Sequence, residues 1–137
     1  MQNFKAILID IGLMHALCGL NAMEECSREK LLSIYSGSLA EQFVGQELRI
    51  TQHGALYYWS REVKSSSAEV DFIAVVNGII KPIEVKSGSA GKLKSLHLLL
   101  DSYPTCGRAI VLNDGKFGFD AEYKIDYIPL YFTASST

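Results

Sequence analysis

Two carboxylates and one lysine stand in stretches that otherwise read as apolar strands. Asp71 interrupts EVDFIAVV, and Glu84 and Lys86 interrupt IIKPIEVK, Glu84 following Asp71 by 13 positions. Magnesium and similar divalent ions such as manganese take hard oxygen ligands and keep several waters, so two carboxylates and a backbone carbonyl suffice as protein ligands. Asp71 and Glu84 supply the carboxylates, and Val85 the carbonyl. Lys86 can orient or deprotonate an attacking water and offset the negative charge that develops at phosphorus, while Glu41 can complete the metal shell. The reaction such a set supports is hydrolysis of a phosphodiester. The same side-chain types also form ion-pair networks at sheet ends, and that structural alternative stands beside the chemical one.

The elements that must position these residues begin with a hairpin. Asn77-Gly78 lies between two apolar runs, and both residue types tolerate the positive φ of a type I′ turn, so Glu69 to Lys86 is expected to form two antiparallel strands. Side chains alternate along a strand, which puts Glu84 and Lys86 on one face, about 7 Å apart, and Ile83 and Val85 on the other. The hairpin therefore has a charged face and a greasy back.

Upstream, FKAILI at 4–9 reads as a short strand, and Leu13 to Leu20 as a short helix. Residues 24–30, EECSREK, read as a solvated turn or helix end. Ser36-Gly37-Ser38 should punctuate the chain before a helix over 39–51, whose Leu39, Phe43, Val44 and Leu48 recur at helical spacing. Glu41 lies beside that stripe with small Gly45 one turn along, yet Ser38 and Glu41 also satisfy a capping box, and Glu47 is a rival for the same role. GALYYW at 54–59 reads as an aromatic strand and 61–67 as a polar loop.

Beyond Lys86, a Ser/Gly link leads into a second helix over 92–102. GRAIVLN at 107–113 has the continuous apolar character of a central strand buried on both faces. Asn113-Asp114-Gly115 turns the chain. YIPLYF at 127–132 reads as a last strand, placed at an edge by Pro129, and 133–137 as a frayed tail. With a helix between the hairpin and GRAIVLN, those strands should run parallel, in a mixed sheet covered by helices.

The chain has 137 residues, 48% hydrophobic and 20% charged, which fits one globular unit and not a disordered tail. A formal charge of −2 argues against a nucleic-acid coat protein but leaves room for a local basic groove. Cys18, Cys26 and Cys106 are odd in number and widely spaced, the pattern of reduced thiols in a cytoplasmic protein. Asp10 interrupts the N-terminal apolar run, no small-residue cleavage site follows it, and no stretch reaches the length of a membrane helix. Gly88 to Leu93 is a poor phosphate-binding loop, since Leu93 stands where Ser or Thr should bind magnesium.

Asp71, then Glu84-x-Lys86, with a helical Glu41 before and a helix after, resembles the PD-(D/E)XK nuclease superfamily, although Val70 replaces the eponymous proline. More closely, LIDIGL, GSLAEQFVGQEL, LYYW, AEVDFI, IEVKSG, KSL and IPLY resemble the C-terminal domain of unknown function of bacterial and archaeal AAA-type ATPases. The resemblance implies an α/β fold with a restriction-endonuclease-like core in the order helix, three strands, helix, strand. Residues 1–36 would then be a strand/helix extension leading from an upstream ATPase domain, and 37–137 the nuclease-like core. It implies Asp71, Glu84, Lys86 and Glu41 as catalytic residues, with Mg2+ or Mn2+ held by Asp71, Glu84, Val85 and Glu41.

Lysines 81, 86, 92 and 94 face the single acid Glu84 in their stretch, whereas residues 114–126 hold four acids and two lysines. The basic residues gather beside the candidate site. Lys81, Lys92 and Lys94 are thus expected to touch a nucleic-acid backbone, DNA in the first instance, with weak sequence preference and strong salt dependence. A catalytically inactive adaptor that couples an ATPase to DNA or to a protein partner is the alternative. The apolar N-terminal piece is expected to cover itself against another domain or a second copy in a homo-oligomer.

Overall fold

A computed structural model describes residues 4–19, 32–63, 66–88 and 92–135. The charged stretch 24–30, Cys26 and most of the Ser/Gly link after Lys86 lie outside the described residues. The elements are α1 (Ile11–Leu17), α2 (Leu32–Gln52), β1 (Tyr57–Val63), β2 (Ser66–Val76), β3 (Ile79–Val85), α3 (Lys94–Ser102), β4 (Ala109–Asn113), β5 (Gly118–Asp120), β6 (Ile125–Pro129) and a closing 3-10 helix (Leu130–Ser135).

Six strands form one mixed sheet in the order β1-β2-β3-β4-β6-β5. The meander β1-β2-β3 is antiparallel, β3, β4 and β6 run parallel, and β5 returns antiparallel on β6. β4 is the central strand its sequence predicts, buried at all five positions. Its alternate residues serve the two faces. Ile110 and Leu112 pack with Ala40, Val44 and Leu48 of α2, and Ala109 and Val111 with Leu96 and Leu99 of α3. Each fully buried aliphatic side chain contributes roughly 1.5–3 kcal/mol, so α2 is fixed to its face mainly by Val44 and Leu48.

Several expectations are corrected. Ser36-Gly37-Ser38 does not punctuate, since α2 runs through it from Leu32. Ser38 is therefore interior to the helix and cannot cap it, which removes the capping box from Glu41. The predicted polar loop 61–67 belongs largely to strands, β1 extending to Val63 and β2 starting at Ser66, because hydrogen-bonded pairing continues past the apolar residues. Residues 4–8, expected as a strand, have no regular secondary structure and join no strand ladder.

The last strand lies earlier than YIPLYF suggests, and it is internal because the short β5 covers it. Pro129 is tolerated there for a local reason. β5 faces only Ile125 to Tyr127, so the outer side of β6 at Pro129 has no ladder that needs its missing N–H. The presumed tail is partly structural, as Thr133 is buried in the 3-10 helix. The turn before β6 is closed by Asp120, whose Oδ1 accepts from the Glu122 and Tyr123 backbone amides at 2.9 and 3.1 Å. Among the described residues no helix is long and apolar enough to cross a membrane.

Candidate functional site

The hairpin forms at the predicted turn. Asn77 and Gly78 have φ of 53° and 77°, the two positive values of a type I′ turn. Pairing then runs from Val76↔Ile79 to Phe72↔Ile83. On the other side of β2 the register slips: Tyr57 faces Ile73 but Trp59 faces Val70, so two steps along β1 oppose three along β2. This β-bulge contains Asp71 and Phe72. Its effect shows in the packing, because Val70 joins the α3 side of the core while Phe72 joins the α2 side. Without the extra residue these two would share a face. The bulge is thus what turns Asp71 out of simple alternation.

Asp71 is buried, and its two oxygens have separate partners. Oδ2 accepts the Val85 backbone N–H at 2.8 Å, tying β2 to the end of β3, and Oδ1 lies 3.1 Å from the Lys5 ammonium. Lys5 was not among the residues expected at the site. It lies among three carboxylates, 2.6 Å from Glu69, 3.1 Å from Asp71 and 3.5 Å from Glu41, with its ammonium 5.6 and 5.7 Å from the ring centres of Tyr58 and Phe72. Burial alone would lower the Lys5 pKa. The hydrogen bond to Glu69 and the charges of Asp71 and Glu41 outweigh it, so Lys5 is held above the ordinary lysine range.

Glu84 is buried on the adjoining strand. Its Oε1 is 2.6 Å from the Lys86 ammonium, in the pairing that shared facing predicts. Its Oε2 is buried with no hydrogen-bond partner among the described residues. Burial first, then the nearby Asp71 charge, push the Glu84 carboxyl above the usual range, and Lys86 offsets only part of this. Glu41 is raised by the same two causes, against the opposing pull of Lys5. Among the described residues, four carboxylates, Glu41, Glu69, Asp71 and Glu84, therefore meet two ammonium groups, Lys5 and Lys86.

The geometry sorts the expected residues. Asp71 and Glu41 share Lys5, and Glu84 and Lys86 form their own pair beside them. Glu47 is not among the carboxylates around Lys5. Val85 meets Asp71 through its N–H. Lys81 stands three residues before Glu84, about 10 Å back along β3 toward the turn, and does not join the cluster. Lys92 and Lys94 are exposed at the start of α3. Among the described residues no group of three or more His, Cys, Asp or Glu side chains is arranged as a ready metal site. Beside Lys5 and Asp71 lies a cavity of about 230 Å3, walled also by Phe4, Ile7, Leu56, Tyr58 and Phe72.

Sequence reasoning missed Lys5 and Glu69. Glu69 carried a signal, since it is a second acid close to Asp71 in the same predicted strand. Lys5 carried none, because its partners lie 36 and 66 positions away.

No curated protein and no solved structure matches the chain. Residues 36–133 match the family described as a domain of unknown function, DUF4143, and this span takes in most of α2 with Glu41, the whole hairpin with Glu69, Asp71, Glu84 and Lys86, and every later strand. Both the scaffold and all but one member of the cluster thus fall within the matched region, and the chain belongs to the DUF4143 family.

Proposed function

We propose that Asp71, Glu84 and Glu41 hold a divalent cation, Mg2+ or Mn2+, in a nuclease-like domain of the PD-(D/E)XK kind that binds or hydrolyses DNA phosphodiesters. The observation that carries this reading is the Glu84 Oε2 atom. A buried carboxylate oxygen without a partner is costly, and it is a lone pair left for a ligand. The excess of two carboxylates over ammonium groups in the cluster matches the charge of such an ion. The donors are hard oxygens, and a magnesium site needs only one or two carboxylates with waters completing it.

A bound ion of this type polarises a phosphoryl oxygen and acidifies a coordinated water. The chain's own residues do the rest. Asp71 is fixed by the Val85 N–H. Lys86, paired with Glu84 as an ammonium, can orient an attacking water and face the charge that develops at phosphorus. Lys92 and Lys94 hold the nucleic-acid backbone.

The test is incubation of the protein with DNA and Mg2+ or Mn2+, beside Glu84→Ala and Lys86→Ala. Cleavage should fall by about 10²-fold or more in each variant. Equal cleavage by all three proteins, or none by any, counts against catalysis.

One observation favours a second reading. Lys5 and Lys86 already engage three of the carboxylates and one oxygen of the fourth, as a structural network would. The domain would then be an inactive adaptor joining an ATPase to DNA or a protein partner. Asp71→Asn should leave binding of such a partner intact, and its loss would exclude the adaptor.

A further inference from the structure

We infer that residues 4–10 form a strap whose Lys5 competes with a divalent cation for the acidic cluster, so that the strap must lift for the ion to bind at full affinity. The inference rests on the cation-site reading above.

Three features hold the strap, and none is a strand ladder. The Gln42 side chain accepts from the Leu8 N–H at 2.8 Å and donates to the Ala6 carbonyl at 2.7 Å, while Gln46 donates to the Leu8 carbonyl at 3.0 Å. Ile7 sits in a notch on α2 that exists because residue 45 is glycine: a Cβ there would lie 2.7 Å from Ile7 Cδ1. Lys5 is the third anchor. Between and beyond these points the strap is loosely covered, with Phe4 84% and Ile9 88% exposed.

Lys5 takes the Oδ1 of Asp71, the carboxylate oxygen not already committed to the Val85 N–H. An ammonium on that oxygen and a divalent ion on the same carboxylate repel at close range in a poorly solvated site. Lys5 is also an incomplete substitute for such an ion, because it reaches three carboxylates and leaves Glu84 Oε2 without a partner. A closed strap therefore hides a site that is arranged but not satisfied. Apparent ion affinity is then the intrinsic affinity reduced by the fraction of molecules with the strap lifted.

The experiment is Mn2+ titration of the full chain by calorimetry, with Asp71→Asn as the site control. Three strap variants are compared: Lys5→Met, Gly45→Ala, and Gln42→Ala with Gln46→Ala. Gly45→Ala matters because it evicts Ile7 without touching the acids and adds a good helix former, so the fold survives even if Lys5→Met does not. All three variants should bind Mn2+ about tenfold more tightly than the parent, and binding should vanish in Asp71→Asn. Mn2+ should also speed tryptic cleavage after Lys5 in the parent. If the parent binds Mn2+ through Asp71 but the strap variants bind no more tightly, the strap inference fails and the cation site stands. Weaker binding by Lys5→Met and Gly45→Ala would make the strap part of the site, which also overturns it. If no protein in the set binds Mn2+, the cation reading falls and the strap inference with it.

Discussion

Replacing Glu84 by glutamine should make the metal-free protein more stable at neutral pH. Glu84 is 7% exposed and its Oε2 has no partner, so its ionised form bears a burial cost that the Lys86 pair on Oε1 only partly offsets. A carboxyl raised in the folded state binds more protons there than in the unfolded chain, over the pH range between its ordinary and its raised value. Stability therefore declines as pH rises through that range, and the full penalty is present above the raised value. Glutamine keeps the shape and removes the charge. An unsatisfied buried polar group costs about 1–3 kcal/mol, and glutamine keeps one polar atom there, so a gain of about 1 kcal/mol is expected. For a domain of this size that is a rise of about 4 °C in Tm. Thermal melts in a chelating buffer at pH 8 and pH 4.5 check it: Glu84→Gln should lead at pH 8, and the two proteins should converge at pH 4.5. A variant less stable than the parent at pH 8 would refute the reasoning, because the Glu84–Lys86 pair would then be a net stabiliser and the buried oxygen no sign of a site kept at the expense of stability. Saturating Mn2+ should reverse the order, since only the parent gains stability from a ligand held by Glu84.

Other outcomes follow from the same geometry. Gly78→Ala places a Cβ at a φ of 77° and should lower stability by about 1 kcal/mol in urea unfolding, with no change in any activity. Leu48→Ala, which empties a 1% exposed position between α2 and the sheet, should cost about 2–5 kcal/mol by the same measurement. Replacing Lys92 and Lys94 by alanine should weaken DNA binding evenly across sequences and reduce the slope of log affinity against log salt by about 2; an unchanged slope would remove both lysines from the interface.

What the sequence disclosed and what it hid divide by range. The hairpin was legible because Asn77-Gly78 encodes its own turn, and β4 because five consecutive buried positions leave an unbroken apolar run. The Glu84–Lys86 pair was legible from strand alternation alone. The bulge at Asp71 was not, since an extra residue is defined by register with β1 and no residue type announces it. The start of α2 was misplaced because Ser36-Gly37-Ser38 has the local preferences of a break, yet the helix runs through it from Leu32, and propensity is only a weak guide to where a helix starts. Similarly, the aromatic residues of YIPLYF have strand propensity, yet Leu130 to Ser135 coil into a 3-10 helix once β6 ends at Pro129. Lys5 was out of reach for a different reason. Its role depends on where a segment without ladder partners is laid down, and that is decided by Gln42, Gln46 and Gly45 far along the chain.

The glutamines have a consequence for which substitutions this segment can accept. A side-chain amide that accepts from Leu8 N–H and donates to Ala6 C=O does for the segment what one residue of a neighbouring strand does in a ladder, and it contacts only main-chain atoms. Positions 6 and 8 are therefore held without regard to their side chains, and a saturation library should accept nearly any residue except proline at position 8, whose N–H is used. Position 7 answers to the notch at Gly45 instead, so tolerance there should be narrow and should change together with residue 45. Residues 6 to 8 thus carry one specific letter between two free ones, a pattern imposed by the helix that reads them.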